Sequence, residues 1–573
     1  MIRQKTLRLW IGIVSSAGII CAAAVLFPRV ERFIITLAEE HLIRRKVNFY
    51  DDWMQTLAAW ARGSIAIILA VDFFTLTDRG ARLFGTIRAE IKECLDHTDG
   101  KSLLKPFGIL AAVYLLGYGS LIRADYLFAD DVARAVEGYH GWNGWSRHLA
   151  DLLSTFIHGD TNLADISPLP QILGILLAAL GGVLLVRVLC GTITAGALMA
   201  AVPLGLSPYF LESLSYKFDA PYMALSVAAG IAPFLCAGAK RAFIFVSVLS
   251  LLVMCMSYQA SSGVYILVTI MLLFRDWNSR SKTPAELVSF GAAAAGSFCF
   301  ALVLFRYIFM VAGTTGHGTS TSLLALPRLL PGMVNNLGTY LSTVNQDFGL
   351  PWKAGAAAIC VLFVIHAARE SMQRGILRLL VPLLVVFVSC AMSYGAYLAL
   401  EVPLFAPRAL IGFGVFIAVI GIALVSFRRG THPAGRGIPL LCIIALDWCF
   451  FTFAFSYGNA LADQKRYNDF RVEMLLHDLS VLFPNRTSRD PAVRLKNDTG
   501  FGPFTENIAR HYPVIKRIIP GSRYYHTYKY MTGYFHWDEG TSWAGNPDLP
   551  VVFDSYYHTI KSDGTYIVAV FKQ

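Results

Sequence analysis

About thirteen apolar stretches, most of them long enough to cross a bilayer as a helix, follow one another through residues 1–456. They lie at 9–27, 57–76, 107–122, 171–189, 191–206, 221–238, 242–257, 262–275, 287–310, 354–368, 378–400, 409–427 and 438–456. In hydrocarbon a backbone must satisfy its own N–H and C=O groups, so this succession commits the chain to a mainly α, polytopic helix bundle. A mean hydropathy of +0.53 agrees, as do 55% hydrophobic and only 15% charged residues. The formal charge of +11 does not point to nucleic acid, because Lys and Arg are scattered through short inter-helix loops, where they act as topology signals. The ten cysteines include no CxxC pair and predict neither a zinc site nor a disulfide framework.

Composition divides the chain into three parts. Residues 1–100 form an N-terminal extension with two spans and amphipathic segments, 28–56 reading as an interfacial helix. Residues 101–456 are the membrane body. Residues 457–573 are polar and aromatic-rich and predict a small α/β domain outside the membrane. There Asp463–Leu482 carries Phe470, Met474, Leu475 and Leu479 at helical spacing, and β-type runs follow at 551–553 and 566–571. Basic clusters at Lys240-Arg241, Arg275/Arg280/Lys282, Arg369/Arg374/Arg378 and Arg428/Arg429/Arg436 fall in alternate loops and mark the cytosolic side. The N-terminus then lies in the cytosol, and the 123–170 loop and the C-terminal domain lie outside.

The polar residues beside the outer ends of the spans are the candidates for chemistry. In Tyr126–Arg147 the adjacent carboxylates Asp130 and Asp131 stand with Arg134, Trp142, Trp145 and Arg147. Transfer of a sugar from a lipid phosphate needs one base for the acceptor proton and positive charge for the departing phosphate. One of the two aspartates can be that base, since neighbours on a helix point about 100° apart. The other can orient it or help hold a divalent cation through oxygen ligands. Equally, the pair can cap a helix, with Asp130 and Arg134 as an ordinary i, i+4 surface pair. Arg134 and Arg147 can clamp a phosphate or sit among lipid headgroups, and the tryptophans can be a sugar platform or belt aromatics. A second group, Glu212, Tyr216, Lys217 and Asp219, lies between two spans and reads as a polar cavity lining or a solvated loop. Arg408 is a third candidate for the phosphate, with Tyr258-Gln259 and Asn345-Gln346-Asp347 as further outer-loop residues. His317 falls in a polar TTGHGTSTS loop, and His140, His148 and His158 lack partners at metal-ligand spacing, so no metal site is assigned.

Four blocks, ADYLFADDVARAVEGYHGW (124–142), DISPLPQILGILLAAL (165–180), SPYFLESLSYKFDAPYMALS (207–226) and APRALIGFG (406–414), resemble in order and spacing the bacterial O-antigen glucosyltransferases of the Gtr, serotype-converting type. The resemblance covers 101–573 and leaves residues 1–84 unmatched. It implies a GT-C-like inner-membrane enzyme, inverting, that takes glucose from undecaprenyl-phosphate-glucose on the periplasmic side and adds it to O-antigen or lipopolysaccharide. A donor-synthesising transferase and a flippase are implied as functional partners. The catalytic carboxylate of the resemblance falls on Asp130 or Asp131, and Arg147, Lys217 and Arg408 would hold the donor phosphate. A glycine-arginine-proline-leucine element of the family stands here as Ser146-Arg147-His148-Leu149, so the loop need not keep the family's shape. The C-terminal domain is expected to help select the acceptor. The rival readings are a lipid-linked glycan flippase or transporter, which usually shows internal repeats absent here, and a polymerase- or ligase-type transferase of lipid-linked oligosaccharide.

Overall fold

Each of the thirteen apolar segments contains helix among the described residues, but only part of them is long enough to span a membrane alone. The computed structural model describes residues 2–25, 50–311, 322–427, 433–486, 490–491, 493–519, 537–538 and 549–572. Among these, eight helices are long and apolar enough to cross, or nine if one bent pair counts as a single span. The four shorter ones, Val14–Ala23, Ala220–Cys236, Leu377–Met392 and Ile411–Ser426, have 10–17 residues each. At 1.5 Å per residue the last three are too short for a hydrocarbon core of about 30 Å, whereas Val14–Ala23 is only a part of the 24-residue helix Ile2–Val25. The eight or nine membrane-length helices among the described residues do not confirm the expected count of about thirteen. The interfacial segment expected at 28–56 lies mostly outside the described residues, as does the loop holding His317.

In chain order the helices are α1 (Ile2–Val25), α2 (Tyr50–Leu76), α3 (Asp78–Thr98), α4 (Gly100–Ala124), α5 (Asp131–Glu137), α6 (His148–His158), α7 (Leu169–Cys190), α8 (Ala195–Ala200), α9 (Val202–Leu206), α10 (Pro208–Ser215), α11 (Ala220–Ile231), α12 (Lys240–Ser257), α13 (Ser262–Asn278), α14 (Pro284–Leu304), α15 (Leu329–Asp347), α16 (Leu350–Glu370), α17 (Leu377–Met392), α18 (Ile411–Ser426), α19 (Pro433–Leu482), α20 (Pro503–His511) and α21 (Ile515–Ile518). Their ends follow local chemistry. Thr283 and Glu286 form a reciprocal capping box at the start of α14. Ser207, extended at ψ 151°, precedes Pro208. Proline disfavours a helical conformation in the residue before it, which accounts for the 55° bend between the α8–α9 segment and α10.

Buried residues of the bundle form one continuous core, in which Ile411–Leu424 of α18 is buried on every side. Gly458 lets α19 cross α4 at close range, because a Cβ there would stand 2.6 Å from the Leu121 nitrogen. Ser120 Oγ donates to the Ala454 carbonyl at the same crossing, at 3.0 Å. The composition change near 456 falls inside α19, which runs unbroken into the polar segment.

The lower half of α19 packs on a five-stranded sheet ordered β2-β1-β5-β4-β3. Its strands are β1 (Val493–Lys496), β2 (Trp537–Asp538), β3 (Val551–Asp554), β4 (His558–Ser562) and β5 (Ile567–Phe571). β1 pairs parallel with β2 and β5, and β3–β4–β5 is an antiparallel meander. The helix buries Val472, Leu475 and Leu479 against it, whereas Phe470 stays 41% exposed. Leu475 and Leu479 of the expected face are buried, and Val472 takes the place expected of Phe470.

Arg471 ties helix to sheet. Fully buried, it donates to Tyr467 Oη (2.6 Å) and to the carbonyls of Thr499 (2.9 Å), Tyr557 (2.6 Å) and Lys572 (2.6 Å). Arg471→Met removes four bonds from one buried group, at roughly 1–3 kcal/mol for each partner left unsatisfied. Limited proteolysis should then cut within 490–572 at protease levels that leave the wild type intact, while the membrane helices stay protected. Equal resistance in both proteins would show that the sheet is held otherwise.

Candidate functional site

The polar loops at one end of the bundle converge, and the first thing their convergence does is separate the two adjacent aspartates. Helix α4 ends at Asp125 with left-handed backbone (φ 47°), and the chain turns again at Ala129 (φ 48°) before α5 begins. Asp130 takes the N-cap position but makes no capping bond. It is exposed, and among the described residues its carboxylate accepts no hydrogen bond. Asp131 has no exposed surface. It accepts from the backbone N–H groups of Lys217 (2.8 Å), Phe128 (3.2 Å) and Phe218 (3.4 Å). Burial raises its pKa to about 8, with Asp219 adding to the shift and the N–H donors and Arg134 opposing it.

Asp219 is the hub beneath. It pairs with Arg134, accepts from Trp142 Nε1 at 2.7 Å, and lies 3.7 Å from Arg147 Nη1. The Arg134 guanidinium also stacks over the Trp142 ring at 4.3 Å. Arg134 therefore turns inward instead of forming the i, i+4 surface pair. Trp142 is wholly buried, which removes it from both the sugar-platform and the membrane-belt positions; Trp145, 42% exposed, stays at the surface.

Lys217 is held between Asp125 and Asp165, the latter at 3.0 Å. Burial pulls its pKa down, but the two carboxylates outweigh that and raise it, so the ammonium stays charged. Asp125 in turn meets Lys465 of α19 at 3.4 Å. Glu212, buried on α10, accepts from the backbone N–H of Arg408 and, at 3.1 Å, from its guanidinium. The Arg408 guanidinium lies 5.2 Å from the centre of the Tyr216 ring. Tyr258 joins the two outer arginines. Its hydroxyl donates to the Arg408 carbonyl at 3.2 Å, and its ring lies 4.7 Å beneath the Arg147 guanidinium.

Exposure sorts the cations. The side chains of Arg134 and Lys217 are 4% and 3% exposed, those of Arg147 and Arg408 16% and 25%. Arg147 and Arg408 can reach a bound anion; Arg134 is committed to the buried Asp219, and Lys217 is itself buried while its two carboxylate partners, Asp125 and Asp165, reach the surface. The structure thus gathers all ten sequence candidates into one loop cluster, but presents only Asp130, Arg147 and Arg408 as open charged groups. Among the described residues no group of three or more His, Cys, Asp or Glu could hold a metal ion. His148 points to Asn143 Oδ1 and the Phe309 carbonyl, both at 2.7 Å. The N-terminal extension reaches the same loops: Arg62 of α2 donates to the Ile308 and Met310 carbonyls, and Trp60 packs edge-on against His148.

Sequence reasoning missed Asp125, Asp165, Lys465 and Arg517. Asp125 and Asp165 stood within the quoted blocks as charged residues flanking spans, a signal that could have found them. Lys465 and Arg517 lie among other basic residues and carry no mark of their own. Gln259 and Asp347, noted only as further candidates, are both engaged. Gln259 accepts from Arg147 Nε at 3.5 Å, and Asp347 pairs with Arg517 and accepts from Tyr209 Oη at 3.0 Å.

Membrane-length helices whose loops gather paired carboxylates, arginines and aromatics define a polytopic membrane protein with a charged loop cluster. Residues 119–419 match the family described as Glucosyl transferase GtrII, and the chain belongs to that glucosyltransferase family. It is also 24% identical over 422 residues, 72% of this chain and 85% of the relative, to a Salmonella phage P22 protein described as "Uncharacterized 55.3 kDa protein in gtrB 5'region". No solved structure matches the chain.

The Asp131 environment predicts a pH signature. With a folded pKa near 8 and an unfolded one near about 4, the folded state holds the extra proton between those values. Stability from this group is complete below about pH 4, falls by up to about 1.4 kcal/mol per pH unit as pH rises, and levels off above about 8. Thermal melting across that range should show the slope in wild type and not in Asp131→Asn. Parallel curves would contradict a buried, titrating Asp131.

Proposed function

We propose that the protein transfers glucose from undecaprenyl-phosphate-glucose to O-antigen or lipopolysaccharide on the periplasmic side of the bacterial inner membrane, with inversion. The observation that carries this reading is an open carboxylate, Asp130, in the same loop cluster as two partly open guanidiniums on either side of Tyr258. That cluster lies within the region matched by the glucosyltransferase family. Asp130 would take the proton from the acceptor hydroxyl as its oxygen attacks the anomeric carbon. The bond to the lipid phosphate breaks from the opposite face, and Arg147 and Arg408 hold the phosphate that leaves as an anion. One base suffices, since the leaving phosphate needs charge and not a proton. Asp131, Arg134, Asp219 and Trp142 hold these groups in place, and Glu212 and Tyr216 seat Arg408.

In this reading 101–456 is a GT-C-like catalytic body, 457–573 lies in the periplasm, the N-terminus is cytoplasmic, and residues 1–100 brace the first loop through Trp60 and the 308–310 turn through Arg62. Other enzymes would make and flip the lipid-linked donor. The ion pairs of the site gather at one end of the helices instead of lining a path between them, which supports transfer over transport.

Transfer of radiolabelled glucose from undecaprenyl-phosphate-glucose to lipopolysaccharide tests the proposal. Asp130→Asn should lose about a hundredfold or more in turnover with unchanged melting and donor binding, whereas Asp131→Asn should chiefly alter stability. Full activity in Asp130→Asn would remove it as the base. Turnover lost only in well-folded Asp131→Asn would reverse the assignment.

A further inference from the structure

The segment after the sheet's first strand returns to the membrane bundle. Val514, Ile515, Ile518 and Ile519 are completely buried and belong to the same core as the membrane helices. Tyr512 stacks on Trp352 of α16 with ring centres 5.6 Å apart, and Thr505 Oγ1 donates to the Ala460 carbonyl of α19 at 3.1 Å. So anchored, α21 delivers Arg517 into the loop cluster. One arm of its guanidinium pairs with Asp347, and the other donates to the backbone carbonyl of Phe405. Asp347 is buried, and Tyr209 Oη completes it at 3.0 Å.

Tyr209 and Glu212 stand three residues apart on α10 and share a face. The loop 405–408 lies across both of their partners. At its start the Phe405 carbonyl is held by Arg517, and at its end Arg408 is held by Glu212 through backbone and side chain. Tyr394 braces the start as well, stacking on the Phe405 ring at 5.5 Å and donating to the Leu404 carbonyl at 2.7 Å. Arg517 is thus a two-armed bridge from the C-terminal part of the chain to the loop that carries Arg408.

We infer that Arg517 is a positioning residue for the donor-phosphate site, fixing the 405–408 loop so that Arg408 meets the lipid phosphate. The inference rests on the reading of Arg408 as a donor-phosphate group. It gives the C-terminal part a role in donor binding, beyond the acceptor selection expected of it. A planar fork can serve the Asp347 carboxylate and the Phe405 carbonyl at once; a single ammonium serves one of them well.

The test uses the full chain in lipid nanodiscs, with Arg517→Lys, Arg517→Met and, as a control on the same segment, the exposed Arg510→Ala. Backbone hydrogen exchange over 404–410 and binding of undecaprenyl phosphate are read alongside thermal melting. Arg517→Lys should melt like wild type, yet exchange about tenfold faster in 404–410 and bind undecaprenyl phosphate about tenfold more weakly, the loss of one hydrogen bond to a charged donor. Arg517→Met should show both effects more strongly with a lower melting point, and Arg510→Ala neither. Wild-type exchange and affinity in a folded Arg517→Lys protein would overturn the inference, as would a loss of stability with lipid binding unchanged. A wild type that binds undecaprenyl phosphate but transfers no glucose would overturn the transferase reading and leave the Arg517 comparison standing. A wild type that does not bind it would overturn the role of Arg408 and this inference with it.

Discussion

The buried carboxylate of Asp131 is the contact on which the arrangement of the site depends. It gathers N–H groups from two turns that are far apart in sequence, 128 on one side and 217–218 on the other. Backbone donors at a fold break have no ladder to join, and each would cost about 1–3 kcal/mol if buried without an acceptor. One side chain relieves three of them and sets the distance between the loops. Its neighbour Asp130 is thereby left at the surface with its carboxylate open. Two residues of the same type, side by side, come to have different work because only one of them is inside.

The same division runs through the cations. Arg134 is enclosed with Asp219, and breaking a buried pair of this kind by removing one partner costs about 3–5 kcal/mol; Lys217 is buried between two carboxylates that reach the surface. Arg134 is a poor choice to greet a substrate, since leaving Asp219 would strand a buried charge, and Lys217 is itself only 3% exposed. Arg147 and Arg408 lie closer to solvent, so a phosphate can reach their guanidiniums while they keep their contacts to Asp219 and Glu212. The inner ion pairs hold the outer guanidiniums and their shared Tyr258 in a fixed geometry, which is the preorganisation that stabilises a leaving anion without reorganising around it.

Much of the fold could be read in the sequence because lipid demands it. Long apolar runs must be helices, and each of the thirteen segments contains helix among the described residues. Their lengths as spans were less legible: Pro208 bends the chain just after the 191–206 segment, so that it and the next helix form a bent pair, and segments such as 409–427 are short helices buried on all sides, where apolar residues reflect a protein core and not lipid. The loop blocks that bear the family resemblance were legible by residue type. What sequence could not show was pairing. Lys465 meets Asp125 across 340 positions and Arg517 meets Asp347 across 170, and no local pattern records either. Nor could composition say which aspartate is buried, since that is decided by a left-handed turn at Ala129 and by the N–H groups of a distant loop.

The most direct measurement is a structure of the full chain in lipid with undecaprenyl-phosphate-glucose bound. The account predicts the donor phosphate within about 3.2 Å of the Arg147 and Arg408 guanidiniums, Asp130 on the opposite side of the anomeric carbon, and Asp131 still holding its three backbone N–H groups. A phosphate bound away from both arginines, or an Asp131 released from those donors and turned toward the sugar, would contradict it.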